Sequence, residues 1–188
     1  MRTRPGSRHG VAREGGPEIR TVFLVGFMGA GKSTVGRALS RRLGWSFEDL
    51  DDRIVAREGR SVEEIFRDRG EAEFRRAETA ALRELLGELG SSPRVVALGG
   101  GAFAQTENAA LIEEAGIHSV FLDAPVEELF RRCEQEQRQR PLHQDARQFR
   151  ELYEKRRASY MKASRRIETN GKDVDTVAAE VACSLEQQ

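Results

Sequence analysis

Short apolar runs alternate along the chain with longer segments whose apolar residues recur at helical spacing. The apolar runs predict strands at residues 21–25, 46–49, 94–98, 117–122 and 166–168. The segments of helical spacing predict helices at residues 32–43, 51–58, 61–68, 71–89, 107–115, 125–134, 148–163 and 174–186. This alternation is typical of an α/β fold in which helices cover a parallel sheet.

A glycine-rich turn, GFMGAGKST at residues 26–34, follows the first predicted strand. Gly26, Gly31, Lys32 and Ser33 fit the pattern G-x-x-x-x-G-K-[ST] of a phosphate-binding loop, or P-loop. Glycine lets the backbone approach an anion closely, and the helix that follows adds its positive N-terminal end. The sequence therefore predicts phosphate binding here, with Lys32 on the outer phosphates and the Ser33 hydroxyl available to Mg²⁺.

Further polar motifs lie where predicted strands end, which is the edge at which open α/β sheets bind ligands. Asp49 and Asp51 are two positions apart, so one carboxylate can serve Mg²⁺ while the other orients or deprotonates an attacking hydroxyl. Asp123, after an apolar run, is a second candidate for the metal or else a helix cap, and spacing alone leaves this open. The triplet Gly99–Gly101 indicates main-chain N–H groups that meet a ligand.

Composition and charge mainly exclude other functions. The 188 residues contain 31 basic and 31 acidic residues, so the net charge gives no indication of nucleic acid or a membrane surface. Basic residues concentrate between Arg131 and Arg166, which suggests a local anionic ligand. The two cysteines lack metal-ligand spacing, and no stretch approaches the roughly 20 apolar residues of a membrane span. We expect a monomeric cytoplasmic protein without nucleic-acid or membrane partners.

The N-terminal segment differs in composition from the rest of the chain. Residues 1–18 contain several Gly, Pro and Arg and little to bury, which predicts a disordered tail. An organelle-targeting segment is the alternative interpretation of its arginines. Residues 19–188 are predicted to form a single domain.

The order of the motifs resembles that of the shikimate kinases. The P-loop, Asp-x-Asp, GRSVEEIFRDRGEAEFRRAE, the glycine triplet and RPL follow one another between about residues 21 and 181. The resemblance implies a P-loop kinase with a nucleoside monophosphate kinase-like three-layer α/β/α sandwich, a five-stranded parallel sheet and a mobile lid at about 131–147. It implies Mg²⁺-dependent transfer of the γ-phosphate of ATP to the 3-hydroxyl of shikimate. A gluconate- or nucleotide-type small-molecule kinase is the alternative, but it gives less reason for the Asp-x-Asp and the glycine triplet together.

The resemblance also assigns residues to ligands. It implies that Ser33 and Asp49 hold Mg²⁺, which favours Asp49 over Asp123. The residues implied to bind ATP are Gly29, Ala30, Gly31, Lys32, Ser33, Thr34, Arg132, Arg140 and Asn170. Those implied to bind shikimate are Asp51, Arg75, Gly99, Gly100, Gly101 and Arg156.

Three of these residues are given catalytic roles by the resemblance. Lys32 holds the phosphates, Asp51 binds the substrate hydroxyls and helps to deprotonate the attacking one, and Arg140 closes over the transferring phosphate. Arg75 and Arg156 are implied to clamp the shikimate carboxylate, which suits their planar guanidinium groups. The chain departs from the usual family residues at Leu50, His143 and Ala158.

Overall fold

A computed structural model describes residues 19–90, 92–137 and 145–186. It confirms the predicted α/β/α sandwich with a five-stranded parallel sheet in the order β2-β3-β1-β4-β5. The strands are β1 (Thr21–Val25), β2 (Ser46–Asp49), β3 (Arg94–Ala97), β4 (His118–Asp123) and β5 (Arg165–Glu168). The flanking helices are α1 (Lys32–Leu43), α2 (Leu50–Glu58), α3 (Val62–Gly87), α4 (Thr106–Glu114), α5 (Val126–Gln137), α6 (Ala146–Tyr160) and α7 (Val174–Glu186). A 3₁₀ turn spans Ala102–Ala104.

The sheet brings the polar motifs together at one edge. The central strand β1 pairs with β3 on one side and with β4 on the other, with Val22 opposite Val95 and Val25 opposite Phe121. Because every pairing is parallel, the segments that follow the strands emerge at the same edge. The P-loop, Asp49, the glycine triplet and Asp123 therefore become neighbours there.

Burial explains why the central strands are easier to predict than the outer ones. The apolar runs of β1, β3 and β4 are almost fully buried, as expected for strands covered by helices on both faces. The edge strand β5 instead reads Arg-Arg-Ile-Glu and is largely exposed. Its weak apolar pattern follows from its position at the edge of the sheet.

Helix α3 joins the two helices predicted at 61–68 and 71–89. Gly70 interrupts its backbone conformation with φ 80° and ψ 173°, a geometry that favours glycine. The helix begins at a capping box, in which Ser61 Oγ accepts from Glu64 N at 3.2 Å and Ser61 N donates to Glu64 Oε2 at 2.8 Å. The segment after Gly70 carries Arg75 toward the ligand edge.

Several predictions concern residues outside the described ranges. The tail at 1–18, the central part of the predicted lid and Arg140 belong to this group, so they stay predictions. Among the described residues, no helix is both long and apolar enough to cross a membrane.

Candidate active site

The P-loop owes its shape to glycines that no other residue could replace without strain. Gly26, Gly29 and Gly31 have φ angles of 148°, 77° and 80°. A methyl group at Gly26 would lie 2.8 Å from the Leu122 carbonyl oxygen, and one at Gly29 would lie 2.6 Å from the Leu129 carbonyl oxygen. Gly31 precedes α1 without a capping side chain, which leaves the first N–H groups of that helix directed at the loop.

Lys32 connects the P-loop electrostatically to the aspartates after β2. Its Nζ donates to the Phe27 carbonyl oxygen at 3.0 Å, which folds the side chain back over the loop. Burial lowers the pKa of Lys32, and the negative charges of Asp51 and Asp49 oppose this shift. The ammonium group therefore lies within electrostatic reach of both carboxylates and of the space enclosed by the loop.

Asp49 and Ser33 form a pair of oxygen donors at the mouth of the P-loop. Ser33 Oγ donates to Asp49 Oδ2 at 2.6 Å, while Asp49 Oδ1 accepts from the Asp51 backbone N–H at 3.0 Å and caps α2. Asp49 thus caps α2 through one carboxylate oxygen and contacts Ser33 through the other. Hard oxygen donors of this kind fit Mg²⁺, which commonly takes few protein ligands and fills its other positions with water and phosphate. In the described part of the chain, no cluster of three or more His, Cys, Asp or Glu offers an alternative metal site.

Asp123, the second candidate for the metal, lies among cations. Its Oδ2 accepts from Arg166 Nε at 2.8 Å and from Arg157 Nη2 at 3.3 Å, and its Oδ1 accepts from the Tyr153 hydroxyl at 3.3 Å. Two positive charges at the carboxylate disfavour a bound cation there. The geometry therefore favours Asp49 as the metal ligand.

Two buried carboxylate oxygens, Asp51 Oδ1 and Glu78 Oε1, face the glycine triplet. Neither has a hydrogen-bond partner among the described residues. A methyl group at Gly99 would lie 2.7 Å from the first and 2.9 Å from the second, so both oxygens converge on this glycine. Burial raises the pKa of both side chains; Asp49 adds to the shift at Asp51, and Arg75 opposes it at Glu78. Two unfilled acceptors at one place suit a ligand that carries hydroxyl groups.

Arg75 reaches the same triplet from α3. Its Nη1 donates to Glu78 Oε2 at 2.8 Å, and its Nη2 donates to Glu71 Oε1 at 3.2 Å. A methyl group at Gly101 would lie 2.4 Å from Arg75 Nη1 and 2.5 Å from Nη2, so the end of the guanidinium points at this glycine. The two glutamates fix the orientation of Arg75 and leave the end of its fork directed at the triplet.

Arg156 approaches the triplet from α6. Its Nη1 donates to the Gly100 carbonyl oxygen at 3.4 Å, and the Tyr160 hydroxyl donates to the same oxygen. Burial raises the pKa of Tyr160 to about 12, so its hydroxyl remains a hydrogen-bond donor at neutral pH. Two guanidinium groups therefore meet at the glycine triplet, which is the arrangement that a carboxylate ligand requires.

Glu78 and Tyr160 also lie at the glycine triplet, and no sequence motif singles them out. Glu78 follows Arg75 by three positions on a helix, and this spacing was an available signal for the pair. Tyr160 follows Arg156 by four positions and so lies on the same face of α6. The sequence contains many other pairs at these spacings, so only the fold distinguishes these two.

A cavity of about 680 Å³ lies beside the P-loop and extends toward the N-terminus of α7. Residues of the P-loop and its surroundings line it: Gly29, Ala30, Gly31, Thr34, Arg132, Thr169 and Lys172. Arg132 Nε donates to Glu128 Oε1 at 2.8 Å, which holds its guanidinium at the cavity wall. Asn170 is exposed and lies next to the lining residue Thr169 without belonging to the lining itself.

Comparisons with known proteins identify the family. The family model for shikimate kinase matches residues 28–186. A shikimate kinase of Persephonella marina is 39% identical over 163 residues, covering 87% of this chain and 97% of its own length. One from Geobacter sulfurreducens is 46% identical over 166 residues, covering 87% of this chain and 89% of its own length.

Solved structures give the same result. The shikimate kinase from Acinetobacter baumannii in complex with shikimate has a TM-score of 0.79 and 34% identity, covering 90% of this chain and 96% of that chain. A second structure, the shikimate kinase from Aquifex aeolicus, has a TM-score of 0.75 and 35% identity, covering 88% of this chain and 96% of that chain. The predicted P-loop kinase fold is thereby confirmed. This chain belongs to the shikimate kinase family.

Proposed function

We propose that this protein transfers the γ-phosphate of ATP to the 3-hydroxyl of shikimate, producing shikimate 3-phosphate and ADP. One observation carries the proposal: the unfilled acceptors of Asp51 and Glu78 and the guanidinium groups of Arg75 and Arg156 all converge on the glycine triplet. Shikimate is a small ring with one carboxylate and three hydroxyl groups. Its carboxylate is opposite in charge to the two arginines, and its hydroxyl groups can donate to the two carboxylate oxygens.

The two arginines bind the carboxylate and thereby orient the ring. Guanidinium forks from two different helices, α3 and α6, restrict a planar carboxylate more strongly than point charges would. With the carboxylate fixed, the hydroxyl groups on the opposite part of the ring face Asp51, while Glu78 holds Arg75 beside the carboxylate. This orientation brings one hydroxyl to the side of Asp51 that is closest to Lys32 and the P-loop.

The P-loop holds the phosphates of ATP. The N–H groups at residues 26–33 and the N-terminus of α1 surround the β-phosphate, and Lys32 bridges the β- and γ-phosphates. Ser33 and Asp49 hold Mg²⁺, which when bound neutralises charge on the phosphate oxygens. Thr34, Arg132 and Asn170 serve the remainder of the nucleotide, Arg132 from the wall of the cavity.

Asp51 acts on the attacking hydroxyl. Its Oδ1 accepts the hydroxyl hydrogen bond and receives the proton as the bond to phosphorus forms. Burial raises the pKa of Asp51, which makes it a stronger base than an ordinary aspartate. Lys32 remains beside the transferring group and stabilises its charge. Arg140, outside the described residues, is proposed to supply the second positive charge when the lid closes.

Phosphate transfer of this kind needs no partner other than the two substrates. We propose a monomer that acts in the cytoplasm and binds neither nucleic acid nor membrane, in keeping with its balanced charge. Gluconate, the alternative acceptor, also carries a carboxylate and hydroxyl groups, but it is an open chain. No observation among the described residues favours an open chain over a ring.

The test is ADP release in a coupled assay with Mg²⁺ and ATP, comparing shikimate, quinate, gluconate and no acceptor. We expect release that depends on shikimate, with a product heavier by one phosphate in mass spectrometry. Equal release with gluconate or without an acceptor would overturn the proposed substrate. The P-loop assignment would remain in that case, while the orientation of a shikimate ring by Arg75 and Arg156 would be refuted.

A further inference from the structure

Asp123 lies at the C-terminal end of β4 in a charge cluster that the phosphotransfer reaction does not use. Its side chain is only 5% exposed, whereas those of Arg157 and Arg166 are 35% and 47% exposed. Asp123 therefore forms the buried centre of the cluster, and the two arginines extend from it toward solvent. A buried carboxylate that accepts three hydrogen bonds holds its partners in defined positions.

Two of the three partners belong to α6, the helix that carries Arg156. Arg157 directly follows Arg156, and its Nε donates to the Tyr153 hydroxyl at 3.1 Å while its Nη2 donates to Asp123. Tyr153 also donates to Asp123. The cluster thus ties α6 to the end of β4 through two consecutive turns of the helix.

The same helix contacts the P-loop next to these residues. The Tyr153 ring packs edge-on against Phe27 of the P-loop with a centroid distance of 5.5 Å. The Arg156 guanidinium lies 5.8 Å from the centroid of the same Phe27 ring. A rotation of α6 that moves Tyr153 therefore also moves Arg156 relative to the P-loop and Gly100.

We propose that Asp123 is a positioning residue for substrate binding: through Arg157 and Tyr153 it fixes the rotation of α6 and thereby the place of Arg156 over the glycine triplet. The inference rests on the proposed function of Arg156 in binding the shikimate carboxylate. In the proposed reaction Asp123 contacts neither substrate nor metal. Its effect is expected mainly on acceptor binding, because the Asp123 carboxylate contacts α6 and Arg166, whereas Thr169 of the nucleotide cavity bonds to the Asp123 backbone carbonyl, which a side-chain substitution leaves in place.

The first test is Asp123→Asn, which removes the negative charge and preserves the size of the side chain. The amide leaves Arg157 and Arg166 without a carboxylate between them, and Arg157 can turn to solvent. We expect the KM for shikimate to rise about five- to tenfold, in line with the loss from displacing a positioning group by a fraction of an ångström. The KM for ATP and the kcat should change by less than about twofold, because Asp123 acts through the acceptor clamp.

A matched control removes another ion pair of α6. Glu127→Gln breaks the exposed pair between Glu127 of α5 and Arg150 of α6, in which Arg150 Nη2 lies 2.8 Å from Glu127 Oε1. Both kinetic constants should stay at wild-type values in this variant. Arg157→Gln breaks the cluster from the exposed side and should reproduce the effect of Asp123→Asn, which keeps the proposal testable if Asp123→Asn does not fold.

A double-mutant cycle then separates positioning from general stability. The dissociation constant of shikimate is measured by isothermal titration calorimetry for the wild type, Asp123→Asn, Arg156→Ala and the double variant. If Asp123 acts through Arg156, its substitution should weaken binding in the wild type and change it by less than about twofold once Arg156 is absent. Equal weakening in both backgrounds, or none in either, would overturn the proposal. Absence of shikimate binding by the wild type would instead overturn the proposed function.

Discussion

Gly99→Ala places a methyl group between the two unfilled acceptor oxygens of the pocket. The backbone at Gly99 does not require a positive φ, so alanine brings little conformational strain of its own. Its methyl would lie 2.7 Å from Asp51 Oδ1 and 2.9 Å from Glu78 Oε1. Ordinary van der Waals contact begins near 3.4 Å, so the Asp51 carboxylate must move by about 0.7 Å or the loop must shift by a similar distance.

The size of the effect follows from that displacement. Misplacing a group by about 1 Å can cost on the order of 100-fold in rate, so a shift of about 0.7 Å at Asp51 should lower kcat by about 25-fold. The same methyl also occupies the space where a substrate hydroxyl would meet these oxygens. The KM for shikimate should therefore rise as well, while the KM for ATP should remain near its wild-type value, because the P-loop glycines are unchanged.

Initial rates at saturating ATP measure both constants for shikimate, and circular dichroism melting shows whether the variant is folded. Gly87→Ala is the matched control, since a methyl at Gly87 has no heavy atom within 4 Å. That control should retain wild-type kinetics and gain a small amount of helix stability, about 0.5–1 kcal/mol at most. A folded Gly99→Ala enzyme with wild-type kcat would show that Asp51 does not act from the position described.

Three further predictions address the clamp, the buried aspartate and the nucleotide cavity. Arg75→Lys should raise the KM for shikimate at least about tenfold in steady-state assays and leave that for ATP unchanged, because an ammonium cannot replace a guanidinium fork; an equal rise in both constants would contradict the clamp. Asp51→Asn should abolish most turnover. The same substitution should raise the melting temperature at pH 7, by about 2–4 °C for each kcal/mol by which the free energy of unfolding increases. The direction follows from the raised pKa of Asp51, because the folded state keeps the carboxyl proton to a higher pH than the unfolded chain does. Above the folded-state pKa, the charged Asp51 therefore lowers the stability of the folded state. Below about pH 4 the carboxyl is protonated in both states, so the stability gained from Asn should vanish. A lower melting temperature at pH 7 would refute this. Arg132→Ala should raise the KM for ATP several-fold without affecting that for shikimate, and unchanged ATP kinetics would remove Arg132 from the nucleotide site.

The parts of the site that could be predicted from sequence depend on local spacing. The P-loop glycines are specified by backbone conformation over a few residues, so the motif carries its own structural explanation. Asp49 could be placed at the ligand edge because it ends a predicted strand of a parallel sheet, but its choice over Asp123 as the metal ligand came from the family resemblance. Local order along the chain is therefore sufficient for the P-loop and for the position of Asp49, and not for the metal assignment.

Other parts depend on contacts between distant elements. The sequence alone left Asp123 open as a metal ligand or a helix cap, because an apolar run followed by Asp does not show that Arg157 and Arg166 converge on it. Glu78 shares its helical spacing from Arg75 with many other pairs in the chain, and its importance arises from its burial beside Asp51 and Gly99. The chain also contains many arginines on exposed surfaces, so the fold is needed to select those that matter.

The arginine pair and the acidic pair are proposed to hold the acceptor together in one orientation, with a single hydroxyl presented to ATP. A two-dimensional ¹H–³¹P correlation spectrum of the reaction product tests this directly, since it identifies the carbon that carries the new phosphate. We predict one phosphate monoester, coupled to the proton at carbon 3 of the shikimate ring. Phosphate at another hydroxyl, or a mixture of positions, would contradict the orientation that the four side chains are proposed to impose.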